Sequence, residues 1–356
     1  MNPVVCFGEI MLRLTPPGVL RLPQVLPGTL EAAFAGAEAN VAVAVAQLGG
    51  QARFVTALPH NPVGDGAVAV LRASGVDVRH VVQTELGRCG TYFIETGASQ
   101  RGGLVLYDRD GSSFALSRFD DYPWSAALAG AGWFHTTGIS AGVSRIAAEA
   151  TARSVQLARA AGLSISIDLN FRRKLWRWEP GAAPEQLYRR TLAEIIPGID
   201  VLIGNARDIA AVIGEDFAES ASAEAHVALA TRIAQQFSHI SWIAITLREN
   251  DSASSNRWGA MLFRTKDAAA YFAPGGSAYR PYGIDTIVDR VGTGDAFAGA
   301  LIFALQTAEL ADPAKAIAFA TAAGCLAHSI KGDFFYCTRA EVESLMNGSG
   351  AGYLSR

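Results

Sequence analysis

Short apolar runs alternate with longer helix-like runs along most of the chain. The short runs lie at 4–7, 53–58, 132–138, 163–170, 200–205 and 241–247. They are bounded by Gly, Asp or Asn, and continuous apolar runs of this length are typical of parallel strands buried on both faces. The pattern therefore predicts a largely buried sheet.

The longer runs predict helices at 36–48, 62–73, 142–161, 184–195, 222–237, 293–307 and 313–329. Capping residues support these positions, because Asn61 is a good N-cap, Pro62 suits a first helical residue and Gly49 suits a helix end. Strands that alternate with helices predict an α/β fold with a doubly wound, mostly parallel sheet and helices on both faces. We expect residues 1–356 to form one such domain.

Two segments, 10–18 and 88–118, interrupt the alternation because their strand-like runs are joined by Gly and Ser turns. We expect a small antiparallel sheet that projects as a lid, formed by about 10–34 and 88–118. An ordinary hairpin insertion is the alternative. The lid is favoured by four side chains with polar or aromatic reach: Tyr92, Arg101, Tyr107 and Arg109. A further polar stretch, 249–257, predicts a solvated loop.

Composition narrows the class of protein. Of the 356 residues, 50% are hydrophobic and 18% charged, so the chain can bury a sizeable core. The net charge of −3, without a basic stripe, argues against a nucleic-acid partner. Four widely spaced cysteines are typical of reduced thiols in a cytosolic protein. The longest apolar runs, 41–46 and 296–305, are too short for a membrane span, and no signal peptide is visible, so we expect a soluble cytoplasmic protein.

The stretch VDRVGTGDAF places Gly292, Thr293, Gly294 and Asp295 at the predicted start of an apolar helix, after a strand-like run that ends at Val291. The first N–H groups of a helix lack internal partners and lie at its positive end. Glycines let an anion touch these groups, so the first three residues form a candidate anion hole. Asp295 beside that anion could take a proton from an attacking hydroxyl, which suits phosphoryl transfer to an alcohol. The same residues also fit a capped helix in which Asp295 only complements the dipole.

Two other phosphate-binding motifs are excluded. The chain has no GxxxxGK[ST] loop, so it is not a P-loop enzyme. GTGDAF lacks the third glycine of GxGxxG and lies far from a first βα turn, which makes a dinucleotide-dependent oxidoreductase a distant alternative.

The start of the helix predicted at 36–48 offers a second set of candidates. Gly36 and Asn40 are small and amide residues, which suit a bound polyol, while Glu38 could serve as a cap or meet a sugar hydroxyl. The Ala- and Val-rich body of this helix fits the protein core.

Polar residues also follow two predicted strands. Asn170 and Arg172 come after the first, and Asn205 and Asp208 after the second. Ligands of open α/β sheets bind beyond the carboxyl ends of strands, so these residues could meet a polar or anionic substrate. Asn205 and Asp208 could reach a hydrated Mg²⁺, although a helix cap by Asn205 fits equally well.

With these residues in place, the chain resembles the PfkB/ribokinase-like carbohydrate kinases over essentially its whole length. GAEANVAVAVAQLGG (36–50) is similar to the family's N-terminal signature, and DTIVDRVGTGDAFAGALIF (285–303) to its C-terminal one. Within the family the chain resembles the 2-keto-3-deoxygluconate (KDG) kinase subgroup at FGEIMLRLTPPG, LVLYDRDGSSFA, DLNFRRKLW, ITLREN, VDRVGTGDAF and HSIKGDF. The resemblance implies a ribokinase-like fold whose β-lid often mediates dimerisation, and hence a homo-oligomer.

The resemblance also implies residue roles. Asp295 would be the catalytic base beside the backbone anion hole of Gly292, Thr293 and Gly294. The sugar acid would be surrounded by Gly36, Tyr92, Tyr107, Arg109, Ile139, Arg172 and Asp333, with the arginines facing its carboxylate. ATP would be lined by Asn205, Thr246 and Arg248, with Thr321 and Cys325 near the adenine. Mg²⁺ would bridge the phosphates, and the family sometimes holds K⁺ near Asp289 and Val291.

This sequence departs from the family pattern at four places. Ala35 precedes Gly36 where Gly-Gly is usual, and Thr293 stands where Ala or Gly is usual. Asp208 replaces the Glu of an Asn-x-x-Glu element, and residues 246–251 replace a Thr-x-Gly-x-x-Gly loop.

The sequence thus predicts an ATP- and Mg²⁺-dependent kinase that phosphorylates the terminal C6 hydroxyl of KDG. Arg109 and Arg172 favour a sugar acid, because guanidinium groups match the geometry of a carboxylate. The alternatives are a fructokinase, ribokinase or deoxygluconokinase of the same family, and a non-catalytic sugar-binding regulator. The intact Gly-x-Gly-Asp motif argues against the regulator.

Overall fold

The computed structural model describes residues 1–218, 222–275 and 279–348, so the end of the domain predicted over 1–356 lies outside the described residues. Within the described residues there are fourteen strands: β1 (Val4–Phe7), β2 (Met11–Thr15), β3 (Glu31–Ala35), β4 (Ala52–Pro59), β5 (Val81–Thr84), β6 (Gly90–Glu95), β7 (Leu104–Asp108), β8 (Trp133–Thr137), β9 (Ser164–Asp168), β10 (Val201–Asn205), β11 (Trp242–Asn250), β12 (Asn256–Arg264), β13 (Ala269–Ala273) and β14 (Tyr282–Ile284).

The same described part of the chain forms thirteen α-helices: α1 (Leu22–Val25), α2 (Ala37–Gln47), α3 (Pro62–Ala73), α4 (Ser113–Leu116), α5 (Trp124–Leu128), α6 (Gly138–Val143), α7 (Arg145–Ala160), α8 (Pro184–Ile195), α9 (Ala206–Val212), α10 (Ala223–Gln236), α11 (Thr293–Leu305), α12 (Pro313–Ala327) and α13 (Arg339–Met346). Short 3-10 turns occur at Phe119–Asp121 and Ile196–Gly198. Among the helices described, none combines the length and the apolar character that a membrane span requires.

The larger sheet has the strand order β13-β12-β11-β10-β9-β8-β1-β4-β5, with β14 beside β12. From β11 to β5 all neighbours are parallel, whereas β12 is antiparallel to β11, β13 and β14. The prediction of a doubly wound, mostly parallel sheet is confirmed. Its central strands are buried on both faces, as in Val4–Phe7, which explains their continuous apolar sequence.

Helices cover both faces of this sheet and create two cores. On one face α2, α11 and α12 pack against the strands, and on the other face α7, α8, α9 and α10 do so. Small residues let α2 and α11 approach closely: a Cβ added at Gly299 would lie 2.7 Å from the Cβ of Ala44. This contact brings the starts of α2 and α11 to the same end of the sheet.

The smaller sheet consists of β3, β2, β6 and β7 in that order, so both segments of the predicted lid contribute to it. The expectation of an antiparallel sheet is only partly right. The outer pairs are antiparallel, but β2 and β6 are parallel. Parallel pairing needs a long crossover, and here α2, β4, α3 and β5 supply it. The second segment ends in α4 instead of a strand, because the Ser112 hydroxyl accepts the Ala115 N–H at 3.2 Å.

Three local expectations are only partly right. The helix expected over 142–161 is two helices, because Ser144 is extended and caps α7 by accepting the Ala147 N–H at 3.0 Å. The loop expected at 249–257 is shorter than expected and spans 251–255, because β11 continues to Asn250 and β12 begins at Asn256, and these two residues pair in antiparallel register. The strand-like run before α11 is irregular from residue 285 onward and ends in a turn at 291–292.

Candidate active site

A cavity of about 670 Å³ opens at the carboxyl ends of the parallel strands, beneath the smaller sheet. It lies where the strand order reverses, since the chain runs outward from β1 to β4 and β5 and returns on the other side of β1 as β8. Open α/β sheets bind ligands at this switch point. The cavity is therefore the candidate active site.

Most of the residues predicted from the sequence line this cavity. The α/β body contributes Gly36, Asn40, Ile139, Asn170, Arg172, Asn205, Asp208, Thr246, Arg248, Gly292, Thr293, Gly294, Asp295 and Asp333. The smaller sheet and the loop after it contribute Tyr92, Tyr107 and Arg109. Thr321 and Cys325 are not among the lining residues.

The start of α11 has the open geometry that the predicted anion hole requires. Gly292 caps the helix at φ +83°, and a Cβ there would lie 2.2 Å from the Asp333 carbonyl oxygen, so only glycine fits. A Cβ added at Gly294 would meet no atom within 4 Å, which shows that the helix is uncovered on this side. The first turn therefore presents unpaired N–H groups to the cavity.

Asp295 lies in that first turn and is buried, with 8% of its surface exposed. The Asn40 amide donates to Asp295 Oδ2 at 2.6 Å, and Asn40 Oδ1 accepts the Gly36 N–H at 3.2 Å. Burial raises the pKa of Asp295 to about 7, although the Asn40 hydrogen bond opposes the rise. A carboxyl group with a pKa near neutrality is well suited to accept a proton during catalysis.

Glu38 does not line the cavity. Its Oε1 accepts hydrogen bonds from the Thr137 N–H at 3.0 Å and from the hydroxyls of Thr137 and Ser140, both at 2.6 Å. The fully buried carboxyl therefore ties α2 to the end of β8, and the alternative of a sugar-hydroxyl ligand has no geometric support.

Two more carboxyl groups line the cavity at strand ends. Asn205 caps α9, since its Oδ1 accepts the Asp208 N–H at 2.9 Å, and its amide also donates to Asp208 Oδ2 at 2.9 Å. Burial raises the pKa of Asp208 to about 6. Asp168, which the sequence analysis missed, ends β9, and burial together with the charge of Asp295 raises its pKa well above the usual value. Its signal was the same strand-end position that singled out Asn170.

A buried network joins the smaller sheet to the loop before α11. The Tyr92 hydroxyl donates to Asp333 Oδ2 at 2.9 Å, and Arg13 bonds to both Asp333 and Asp289, the latter at 2.5 Å. Asp289 Oδ1 also accepts the Val291 N–H at 3.1 Å. Arg13 lies in the FGEIMLRLTPPG motif, but that motif indicated no role for it, because its partners are about 280 and 320 residues away in the chain.

Arg109 is bonded to a carboxylate of the protein itself, and its role toward a substrate carboxylate stays a prediction. Its Nε donates to Glu9 Oε2 at 2.8 Å, and its Nη2 bonds to the same oxygen. Both residues are buried and line the cavity, and Glu9 was not predicted. Arg172, in contrast, is exposed, and its side chain makes no hydrogen bond or ion pair with the described residues. The charge of Arg109 is therefore compensated by the protein, whereas that of Arg172 is not compensated by an ion pair.

The far end of the cavity, where the nucleotide was predicted, is formed by β11 and β12. Thr246 and Arg248 on β11 line it together with Trp258 on β12. Thr321 lies behind this wall, because its carbonyl accepts the Trp258 indole N–H at 3.0 Å. Thr321 is fully buried and Cys325, on the same helix, is half-buried, and neither lines the cavity, so their place near the adenine stays a prediction.

Comparison with known proteins shows which proteins this chain is similar to. Residues 1–334 match the pfkB family of carbohydrate kinases. A 2-dehydro-3-deoxygalactonokinase of Haloferax volcanii is 34% identical over 350 residues, which cover 98% of both chains. The solved structure of a 2-dehydro-3-deoxygluconokinase from Thermotoga maritima is 37% identical, covers 98% of this chain and 100% of its own, and has a TM-score of 0.88. A putative ribokinase II of E. coli, 20% identical, shares the fold at a TM-score of 0.75 and covers 98% of this chain and 100% of its own.

These matches confirm the ribokinase-like fold expected from the sequence, and they span both the α/β body and the smaller sheet. Together with an open helix start beside a buried carboxyl group, they identify the chain as a member of the pfkB family of carbohydrate kinases.

Proposed function

We propose that this carbohydrate kinase transfers the γ-phosphoryl group of ATP to the C6 hydroxyl of 2-keto-3-deoxygluconate (2-dehydro-3-deoxygluconate), giving the 6-phosphate. The observation that carries the proposal is the buried Asp295 at the open start of α11, in a cavity that also contains Arg172 and Arg109. Similarity to a 2-dehydro-3-deoxygalactonokinase and a 2-dehydro-3-deoxygluconokinase supports the substrate class.

In the proposed reaction the C6 oxygen attacks the γ-phosphorus while its proton passes to Asp295. The bond between the γ-phosphorus and the β–γ bridging oxygen breaks, and its electron pair leaves with ADP. The N–H groups at the start of α11 would stabilise the charge on the transferred group. Asn40 would orient the Asp295 carboxylate through the 2.6 Å hydrogen bond.

The two arginines would divide the recognition of a sugar acid between them. Arg172 forms no ion pair with the described residues, although its charge lowers the pKa of Asp208 and Asp168 against the effect of burial, so its guanidinium can pair with the substrate carboxylate. The charge of Arg109 is neutralised by Glu9. Only the Nε and Nη2 atoms of Arg109 bond to Glu9, so its Nη1 can donate to a substrate oxygen. A neutral sugar would leave Arg172 without a partner.

The donor set is compatible with Mg²⁺, which proteins usually hold through one or two carboxylates plus phosphate oxygens. Asp208 and Asp168 would hold the ion. Burial raises the pKa of both carboxyl groups, and a bound cation would lower it again by stabilising their ionised form. When bound, the ion neutralises charge on the phosphates of ATP. A K⁺ requirement stays a prediction, checked by replacing K⁺ with a large organic cation in the assay.

We also propose that the smaller sheet closes over the substrate and carries a homodimer interface. Leu104 and Leu106 lie on one face of the edge strand β7 and are 40% and 45% exposed. Apolar side chains on an open sheet edge favour association. Light scattering should give the mass of a dimer, and Leu104→Ser with Leu106→Ser should shift it to that of a monomer. A monomeric wild type contradicts the interface.

The test of the proposed function is an ADP-release assay with KDG, its galactonate epimer, gluconate, fructose and ribose. We expect kcat/KM to be highest for a keto-deoxy sugar acid and at least about 10-fold lower for the neutral sugars, because they lose one charge-assisted contact. Equal or faster turnover of fructose would identify a fructokinase instead. Absence of turnover with every sugar would favour the non-catalytic regulator.

A further inference from the structure

A side-chain hydrogen bond holds Arg248 at the start of α11. Its Nη2 donates to the Thr293 hydroxyl at 2.7 Å, and that hydroxyl donates to the Arg290 carbonyl at 3.1 Å. Thr293 is the first residue of α11, two positions before Asp295. The guanidinium of Arg248 therefore lies beside the helix end where the phosphoryl group would be transferred.

The charge of Arg248 has no counter-ion within the described part of the chain. The charged groups that act on it are Arg290 and Arg172, and burial together with these cations lowers its pKa to about 10. Its Nε is buried without a hydrogen-bond partner, and the guanidinium lies 5.2 Å from the ring centre of Trp258. An aromatic face compensates a half-buried cation only in part. This environment favours the binding of an anion.

Two arginines near the cavity that are buried more completely than the half-buried Arg248 show the contrast. Arg13 is bonded to Asp289, and Arg109 is bonded to Glu9. Both are therefore neutralised by the protein itself, which is the usual condition of a buried arginine. Arg248 lacks such a carboxylate, so its partner is expected to arrive with the ligand.

We propose that Arg248 is a catalytic residue whose guanidinium contacts the transferred phosphoryl group and stabilises the negative charge on its oxygens in the transition state. The inference rests on the proposed kinase function. As the γ-phosphorus leaves the β–γ bridging oxygen and bonds to the sugar oxygen, charge is spread over its equatorial oxygens, and the electron pair of the broken bond stays with ADP. The Thr293 hydroxyl positions Arg248 through the 2.7 Å hydrogen bond.

Kinetic analysis of Arg248→Gln tests this role. We expect kcat to fall about 10²–10³-fold, the loss found for a group that acts on transition-state charge, while the KM for ATP changes less than about 5-fold. Free guanidinium ions should partly restore kcat in Arg248→Ala. Formation of a tight complex with ADP, aluminium fluoride and the sugar acid should also be lost, although ADP alone still binds.

Two matched comparisons separate this role from a structural one. Arg264 is the first control, because it lies 5.9 Å from the ring centre of its cross-strand neighbour Trp242, as Arg248 lies over Trp258. Unlike Arg248, Arg264 is bonded to a carboxylate, that of Asp267. Arg264→Gln should therefore keep wild-type kcat. Thr293→Val removes the hydroxyl that holds Arg248 and should lower kcat about 10-fold or more, whereas Thr293→Ser should retain most of it.

The outcomes are distinct. The inference is overturned if Arg248→Gln turns over within about 3-fold of an active wild type, or if only the KM for ATP rises, and the kinase function then stands. A wild type without kinase activity overturns both proposals. If Arg248→Gln does not fold, the comparison of Thr293→Val with Thr293→Ser decides, and equal kcat values in that pair overturn the inference.

Discussion

Substitution of Asp295 by Asn should separate the catalytic use of this side chain from its cost to the fold. Burial raises the pKa of Asp295 to about 7, from an ordinary value of 3.8 that we take for the unfolded chain. The folded state therefore binds the proton more tightly than the unfolded state. The stability that depends on this group is fully present below about pH 4 and is lost as the pH rises through about 7.

The magnitude follows from the difference between these two pKa values. A difference of about 3 corresponds to about 4 kcal/mol of unfolding free energy above pH 7, at about 1.4 kcal/mol for each unit. About 1.5–2 kcal/mol of this is already lost at pH 5, where the unfolded carboxyl is ionised, so about 2–3 kcal/mol is lost between pH 5 and pH 8. Asparagine does not titrate, and it can still accept the hydrogen bond from Asn40. The variant should therefore gain stability relative to the wild type as the pH rises.

Urea unfolding of both proteins at pH 5 and pH 8 measures this change. We expect the stability difference, variant minus wild type, to increase by about 2–3 kcal/mol between the two pH values. In the ADP-release assay kcat should fall about 10²–10⁴-fold, with ATP affinity nearly unchanged. Asp120→Asn, an exposed carboxyl outside the cavity, is the control for both measurements.

Either of two results would refute the reasoning about Asp295. A stability difference that is the same at pH 5 and pH 8 would show that the folded protein does not hold the proton of this carboxyl group. A variant with nearly wild-type turnover would remove Asp295 from the proton transfer.

Three other substitutions probe the site from different sides. Arg172→Ala should raise the KM for the sugar acid about 10–100-fold while that for ATP changes little, because one charge-assisted contact is lost; equal effects on both would assign Arg172 to structure. Glu9→Ala should lower the unfolding free energy by about 3–5 kcal/mol, since Arg109 then stays buried without its carboxylate; an unchanged urea midpoint would show that Arg109 finds another partner. Gly292→Ala should cost about 1–3 kcal/mol and most of the activity, because a Cβ at φ +83° meets the Asp333 carbonyl; wild-type stability would mean that this loop can move.

Local sequence patterns were sufficient where the chemistry is contained in one stretch of chain. Gly292, Gly294 and Asp295 were found because a helix start positions its own N–H groups and first-turn side chains. Asn170 and Asn205 were found because strand ends converge at one edge of the sheet. In both cases the relevant geometry is set by residues a few positions apart.

Patterns failed where the partner is remote or where burial decides. Glu9 contacts Arg109 a hundred residues later, and Arg13 contacts Asp333, more than three hundred residues later. Nothing in the local sequence indicates which of several carboxylates an arginine meets. The antiparallel strands β12 and β13 were also missed, because their register depends on pairing with β11.

The order of apolar and polar runs, with its glycines and caps, was enough to specify an α/β sheet with helices on both faces and a helix entrance suited to an anion. These features depend on backbone geometry and on the period of burial, which neighbouring residues control. Tertiary structure alone decided that Arg109 is paired with a carboxylate, while Arg248 and Arg172 form no ion pair with the described residues. It also decided that burial raises the pKa of Asp295 to about 7. Such properties arise from distances between groups far apart in the chain and from the water that folding removes around them.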